Sequence, residues 1–473
     1  MNQRPGLLRD LVQGRAPLRR AVATLASEKD PPPAVSGELT ADPAELSAAA
    51  DDFGHIIHRA PQYVLKPASV ADISAIVAWV ASQGLKVAAR GQGHSNYGRS
   101  MVPGGVVIDM SMLNTIHRIA PDRIVVDAGT TWSAVIDAAL ARGLTPPVLT
   151  GFTGLSVGGT LSVGGIGGMS HLYGMQTDNV LELNVVVAEG RELTCSAAQN
   201  ADLFNAVRAG LGQVGIITRA TLKLVPAPAR VRRYQLSYPD QETLTADQRK
   251  VLNERRFQHI QGKFIPNESG GWKFQFEGGV FYTGYTPDDN TVLDDLSDTR
   301  ASAVIADLSY SEYLNAFDVL ENLLRGNGQW FNPHPWWLTF LPDSAAESLA
   351  AEILDQVTHE GVGPFGQVTY YPMTTGAFRT PLLRIPGGSV MFPFNIVRLP
   401  ATNDRVAIDQ MTAQNRTFYD RIRSAGGLLY PVTAMAISKD DWKTHFGSSY
   451  ALLSSAKTKY DPQHIFTPGY EAF

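Results

Sequence analysis

Apolar positions along this chain follow two rhythms. Between about residues 60 and 225, short β-branched runs alternate with stretches whose apolar residues fall three and four apart. Val64-Leu65 leads into a helix capped by Ser69, with Ile73, Ile76, Val77 and Val80 along one face. The pattern then predicts strands over 86–89, 105–109 and 124–127 and a helix over 131–142. Strands over 180–187 and 192–195, a helix over 200–208 and a strand over 215–224 follow, closed by Pro226. From about 228 to 430 the texture changes. Residues 257–264, 272–278 and 366–371 alternate like strands with one buried face, and helical stretches over 310–324 and 343–360 separate them. Before residue 51 the order is a short basic helix, a break at Pro31-Pro32-Pro33 and a second helix near Asp42-Pro43. The strands are too short and interrupted for a doubly wound sheet, so the expected class is α+β.

Composition narrows what such a chain can do. At 473 residues it exceeds one typical core, and two or more domains are expected. Its 40 basic and 45 acidic residues suggest neither a nucleic-acid surface nor a membrane patch. No stretch approaches the ~20 apolar residues of a membrane span. Arg19-Arg20 resembles a twin-arginine signal, but the apolar run after it is short and ends at Glu28-Lys29-Asp30, so a cytoplasmic location is expected. Cys195 is the only cysteine, which excludes an internal disulfide; it ends a strand and reads as buried and inert. His55 and His58 lack a third ligand, His359-Glu360 lacks the second histidine of a zinc helix, and His334 between two prolines reads as structural; no metal is expected. Phosphoryl transfer finds no P-loop.

The chemistry concentrates in Arg90-Gly91-Gln92-Gly93-His94-Ser95, directly after a strand. Two glycines one residue apart allow positive φ and close approach to a ligand, and successive amides in such a turn form a nest for an anion. A Rossmann fingerprint would need a third glycine where Asn96 stands, and that reading fails. A second glycine cluster, Val157-Gly158-Gly159-Thr160-Leu161-Ser162-Val163-Gly164-Gly165-Ile166-Gly167-Gly168, follows some sixty residues later. Two such loops, with a histidine in the first, point to a flavin.

These segments, with Asn179-Val180-Leu181-Glu182-Leu183, Gly212-Gln213-Val214-Gly215-Ile216, Pro333-His334-Pro335-Trp336 and Tyr460-Asp461-Pro462, resemble the vanillyl-alcohol-oxidase/PCMH-type FAD oxidoreductases, most closely the cytokinin dehydrogenases. The resemblance implies a two-domain fold: an N-terminal extension (1–50), an FAD-binding domain (51–228), a substrate domain with a mainly antiparallel sheet covered by helices (229–434), and a C-terminal return to the FAD-binding domain (435–473). It implies that His94 carries the flavin covalently and that Gly91, Gln92, Gly93 and Ser95 hold the pyrophosphate. Ser156, Ser162, Ile166, Ile216 and Tyr470 fall at other FAD contacts. Phe152 stands where bicovalent relatives have a cysteine, so a single tether is expected.

The departures concern the substrate. Gly151 stands where the family has an aspartate that accepts a proton, Ala436 where it has a tyrosine, and Trp337-Leu338 where it has leucine and asparagine. The expected activity is hydride transfer from a small or medium organic substrate, an amine, alcohol or secondary metabolite, to FAD, with oxygen or another acceptor taking the electrons. Trp336, Trp337 and Tyr370 are candidate substrate contacts, and His259 or Tyr371 a candidate base. Two alternatives stay open: cytokinin-type amine oxidation with a replaced base, and a flavin-binding protein that has lost its chemistry.

Overall fold

Two predicted strands and the Val64-Leu65 segment ahead of the first helix lie side by side and parallel. Tyr63–Lys66 and Val87–Arg90 flank Val106–Asp109, and Glu38–Thr40 adds an antiparallel edge to make a four-stranded sheet. This is a computed structural model; it describes residues 30–268 and 270–473, and the predicted N-terminal basic helix falls outside them. The second predicted N-terminal helix is Pro43–Ala49, with Asp42 accepting from the amides of Ala44 and Glu45. Helix Val70–Ser82 starts at a capping box formed by Ser69 and Asp72 and buries Ile73, Ile76, Val77 and Val80. Each of those side chains contributes about 1.5–3 kcal/mol by leaving water.

A second sheet is wholly antiparallel: Ile116–Ala120, Arg123–Asp127, Ile216–Lys223, Val180–Val186 and Glu192–Ser196, in that order. Antiparallel pairing suits strand Ile216–Lys223, whose burial alternates from Thr218 onward as period 2 requires. The last residues return to the first sheet. Val87 donates to Ile465 O at 2.9 Å and Thr467 donates to Val87 O at 2.8 Å, beneath the first glycine loop.

The middle of the chain forms a nine-stranded antiparallel sheet, running Val304–Ser309, Arg230–Tyr238, Trp272–Tyr282, His259–Pro266, Gln367–Tyr370, Val390–Val397, Trp337–Pro342 and Leu428–Leu429, with Met373–Thr374 beside Val390–Val397. Helices Gln241–Glu254, Ala346–Leu354 and Arg405–Ser424 cover one face. On that face lie Tyr234, Leu236, Phe264, Phe276 and Phe394, all buried. The long helix predicted over 310–324 is instead two, Tyr310–Leu314 and Asp318–Gly326, because Asn315 ends the first and Phe317 opens the second. The stretch predicted over 343–360 likewise breaks into Ala346–Leu354 and His359–Val362. Cys195 is buried in the second sheet, as expected, and burial pushes its thiol up to about 12. Among the described residues, no helix is long and apolar enough to cross a membrane, and no group of His, Cys, Asp and Glu could hold a metal ion.

Candidate active site

Strand Val87–Arg90 delivers the first glycine loop to the mouth of a cleft of about 1070 Å³, whose wall includes Gln92, Gly93 and His94. Gly93 has φ +65°, and a Cβ there would lie 2.3 Å from the Arg90 guanidinium. The amides of Gly91, Gln92, Gly93, His94 and Ser95 donate to no other described residue. Five successive free N–H groups on a turn are the donor set a pyrophosphate requires.

His94 is half-buried, and its imidazole makes no hydrogen bond among the described residues. Aromatic rings surround it: Phe53 stacks at 3.8 Å, Phe152 stands at 4.9 Å, Trp330 at 5.8 Å and Trp336 at 5.9 Å between centroids. Desolvation, with repulsion from His334 and Arg325, brings His94 down to about 3, so it is neutral at physiological pH and keeps a nucleophilic lone pair.

The second glycine cluster opens with helix Val157–Leu161, pinned by Val157 N to Thr130 O (2.9 Å) and Gly158 N to Ala128 O (2.7 Å). Ser156 brings the two loops together: a Cβ on Gly91 would come 1.9 Å from its Oγ. Ser162 Oγ donates to Gly158 O at 2.8 Å, Ile166 packs half-buried against the core, and Ile216 starts its strand buried. Around this cluster the buried Thr130 Oγ1, Gln176 Oε1 and Thr177 Oγ1 have no partner among the described residues. Tyr470 is buried with Arg99 5.4 Å above its ring, and its carbonyl accepts from Trp442 Nε1 at 2.8 Å. Free loop amides, unpaired buried oxygens and a neutral histidine fit FAD.

Substrate-side expectations fare unevenly. Trp336 borders His94, but Trp337 does not: side chains alternate along Trp337–Pro342, and Trp337 lies fully buried against Phe394 and Phe418. Tyr370 also turns to the covered face, stacking on Phe392 at 4.8 Å, whereas the buried Tyr371 lies close to Tyr430, whose hydroxyl accepts from Gly165 N at 3.0 Å. Burial raises the Tyr371 phenol, which keeps its proton and is a donor rather than a base. His259 packs against the second cluster, where a Cβ on Gly168 would stand 2.3 Å from its ring. Burial lowers it to about 4, and its Nε2 has no partner among the described residues. Beside it, burial raises Glu277, but Lys263, His259 and Arg233 together bring it down to about 2.

Asp52 and Phe53 escaped the sequence reading. Asp52 accepts from Gly54 N (3.0 Å), Ser95 Oγ (3.2 Å) and Gly98 N (2.8 Å); burial raises it to about 6 against those donors. The signal was an Asp-Phe-Gly triplet forty residues before the loop it braces.

Comparison with known proteins agrees with this geometry. Residues 61–196 match the family described as "FAD binding domain", and 276–473 match "Cytokinin dehydrogenase 1, FAD and cytokinin binding". The chain is 38% identical, over 92% of its length and 99% of the relative's, to the "uncharacterized oxidoreductase ORF5 in fasciation locus" of Rhodococcoides fascians. It is 32% identical to cytokinin dehydrogenase 10 of Oryza sativa subsp. japonica, covering 93% of this chain and 89% of that one. Among solved structures, 6-hydroxy-D-nicotine oxidase from Arthrobacter nicotinovorans superposes with a TM-score of 0.72 at 20% identity, over 93% of this chain and 98% of that one.

Proposed function

Because the chain belongs to the FAD-dependent oxidoreductases of the cytokinin dehydrogenase type, we propose that it oxidises a small or medium organic substrate with FAD joined covalently to His94. The observation that carries the tether is the unbonded, neutral His94 imidazole at the end of a loop of free amides. Once bound, the flavin supplies a two-electron acceptor that takes a hydride from a substrate carbon and passes the electrons to oxygen or another acceptor. The amides of 91–95 hold its pyrophosphate. In this reading residues 51–228 with 435–473 bind the flavin, 229–434 cover the substrate, and 1–50 precede them.

With glycine at 151, the family's aspartate has no counterpart there, and cytokinin is not the substrate this reading favours. His259 is the group left to take a proton: it is neutral, its Nε2 is free, and it sits against the second glycine cluster. Trp336 offers an aromatic face for a ring-bearing substrate. With one buried cysteine and no disulfide to lose, the enzyme suits the cytoplasm, the location we assign.

Acid precipitation of the purified protein tests the tether. Yellow colour should stay in the pellet, and His94→Ala should release it. A supernatant that takes the colour from the unaltered protein would remove the role given to His94. Flavin bleaching by a panel of amines, alcohols and ring-bearing metabolites then tests the activity, and a flavin reduced by dithionite but by no candidate would favour a silent binding protein.

A further inference from the structure

The imidazole that has to attack the flavin has no hydrogen bond to aim it, so its orientation comes from the rings around it. Phe53 does most of this. Its ring lies between two imidazoles, 3.8 Å from His94 at an interplanar angle of 23° and 3.9 Å from His334 at 12°. The backbone fixes the sandwich from one side: Phe53 N donates to Gly93 O at 2.8 Å and Gly54 N donates to Ser95 O at 3.2 Å, so 53–54 run alongside the histidine loop. His334 fixes it from the other. It is fully buried, its backbone N donates to Gly54 O at 2.9 Å, and its Nδ1 donates to Phe53 O at 2.7 Å. Asn96 Nδ2, from the loop itself, donates to His334 O at 3.0 Å and closes the circuit. His334 therefore has the structural role read from its place between two prolines, as a buttress for Phe53.

We infer that Phe53, backed by His334, is the positioning residue for covalent flavin attachment, holding the plane and place of the His94 imidazole for attack on the flavin's C8 methyl group. This rests on the tether proposed above. In that step a carbon–nitrogen bond forms between the C8 methyl carbon and an imidazole nitrogen, and one methyl C–H and the imidazole N–H break. The two electrons and two protons released reduce the isoalloxazine, and oxygen or another two-electron acceptor reoxidises it. The protein supplies no oxidant; its contribution is orientation, and misorienting a nucleophile by an ångström costs large factors in rate. Neither the Phe53 ring nor the His334 imidazole donates to the pyrophosphate loop, so the two side chains govern attachment rather than affinity.

The test separates total flavin from attached flavin. Unaltered protein, Phe53→Tyr, Phe53→Leu and His334→Asn are purified as holoenzymes after equal expression times. Flavin per protein is read from absorbance, and the attached share from in-gel flavin fluorescence after denaturation. Phe53→Tyr keeps the stacked face and should match the unaltered protein. Phe53→Leu fills most of the volume without a ring plane; it should retain FAD but show at least a tenfold smaller attached share. His334→Asn keeps a donor toward Phe53 O while removing the ring, and its attached share should fall severalfold. Full attachment in Phe53→Leu and His334→Asn would overturn the inference, as would a loss of total flavin in step with attached flavin. If Phe53→Leu does not fold, His334→Asn decides by the same ratio. Unaltered protein that releases all its flavin on denaturation would sink the tether itself, an outcome distinct from failure of the two variants.

Discussion

Phe53 and Gly151 show how much a single position can decide. Phe53 stacks on the His94 imidazole, and Gly151 stands where the family resemblance implies a carboxylate. A Cβ at Gly151 meets nothing within 4 Å, so an aspartate there has room. Gly151→Asp should change stability by less than about 0.5 kcal/mol, as exposed substitutions generally do. If the missing base is what keeps the enzyme from cytokinin-type chemistry, anaerobic flavin bleaching by an isoprenoid adenine should speed up by roughly tenfold or more in this variant. An unchanged bleaching rate would mean that the chamber, not the base, excludes such amines. Trp336 and Trp337 give a second lesson at this scale. They are adjacent and chemically identical, yet one borders His94 and the other is packed against Phe418.

At the scale of elements, the site depends on two glycine loops meeting at Ser156. Gly91→Ala should crowd Ser156 Oγ and cost about 1–3 kcal/mol by overpacking, with FAD retention falling in proportion. Ser156→Gly in the same chain should recover much of that loss in thermal midpoint and flavin content; no recovery would mean that Gly91 is needed for its backbone alone. Most elements of the first half were legible because their signals are local. Helix Val70–Ser82 carried its own cap and apolar stripe, and both glycine loops carried their own backbone freedom. Strands Arg230–Tyr238 and Val390–Val397 were harder. They sit inside the large sheet, and the identity of their buried face comes from their neighbours.

For the whole molecule, buried neutral histidines tie stability to pH. His259, His334 and His445, which carry no flavin, are all lowered, by burial foremost, to about 3 or 4. Each stays neutral in the folded chain while its unfolded counterpart takes a proton near pH 6.5. Their stabilisation is therefore complete above that pH and is lost as pH falls from about 6.5 toward 4. Asp52, raised to about 6, works in the opposite sense over much of that range, because its folded form takes up a proton first. Three histidines against one carboxylate leave a net loss on the order of 1.5–3 kcal/mol per pH unit below 6. Urea midpoints at pH 7.5 and 5.5 check this: a clear drop is expected, and equal midpoints would mean that these imidazoles titrate normally.

The sequence by itself determined what is local: the α+β rhythm, the caps, the nest of amides, a histidine beside it, and the absence of a carboxylate at 151. Cap preferences, positive φ and side-chain chemistry are properties of a few consecutive residues, so they can be read before folding. Only the tertiary structure decided which rings surround His94, which tryptophan faces it, and that Asp52 and Phe53 brace its loop. Phe53 and His334 are 281 residues apart, and their stacking exists because His334 N donates to Gly54 O and His334 Nδ1 donates to Phe53 O. Which way Trp337 faces depends instead on strand register, where a slip of one residue turns every side chain to the opposite face.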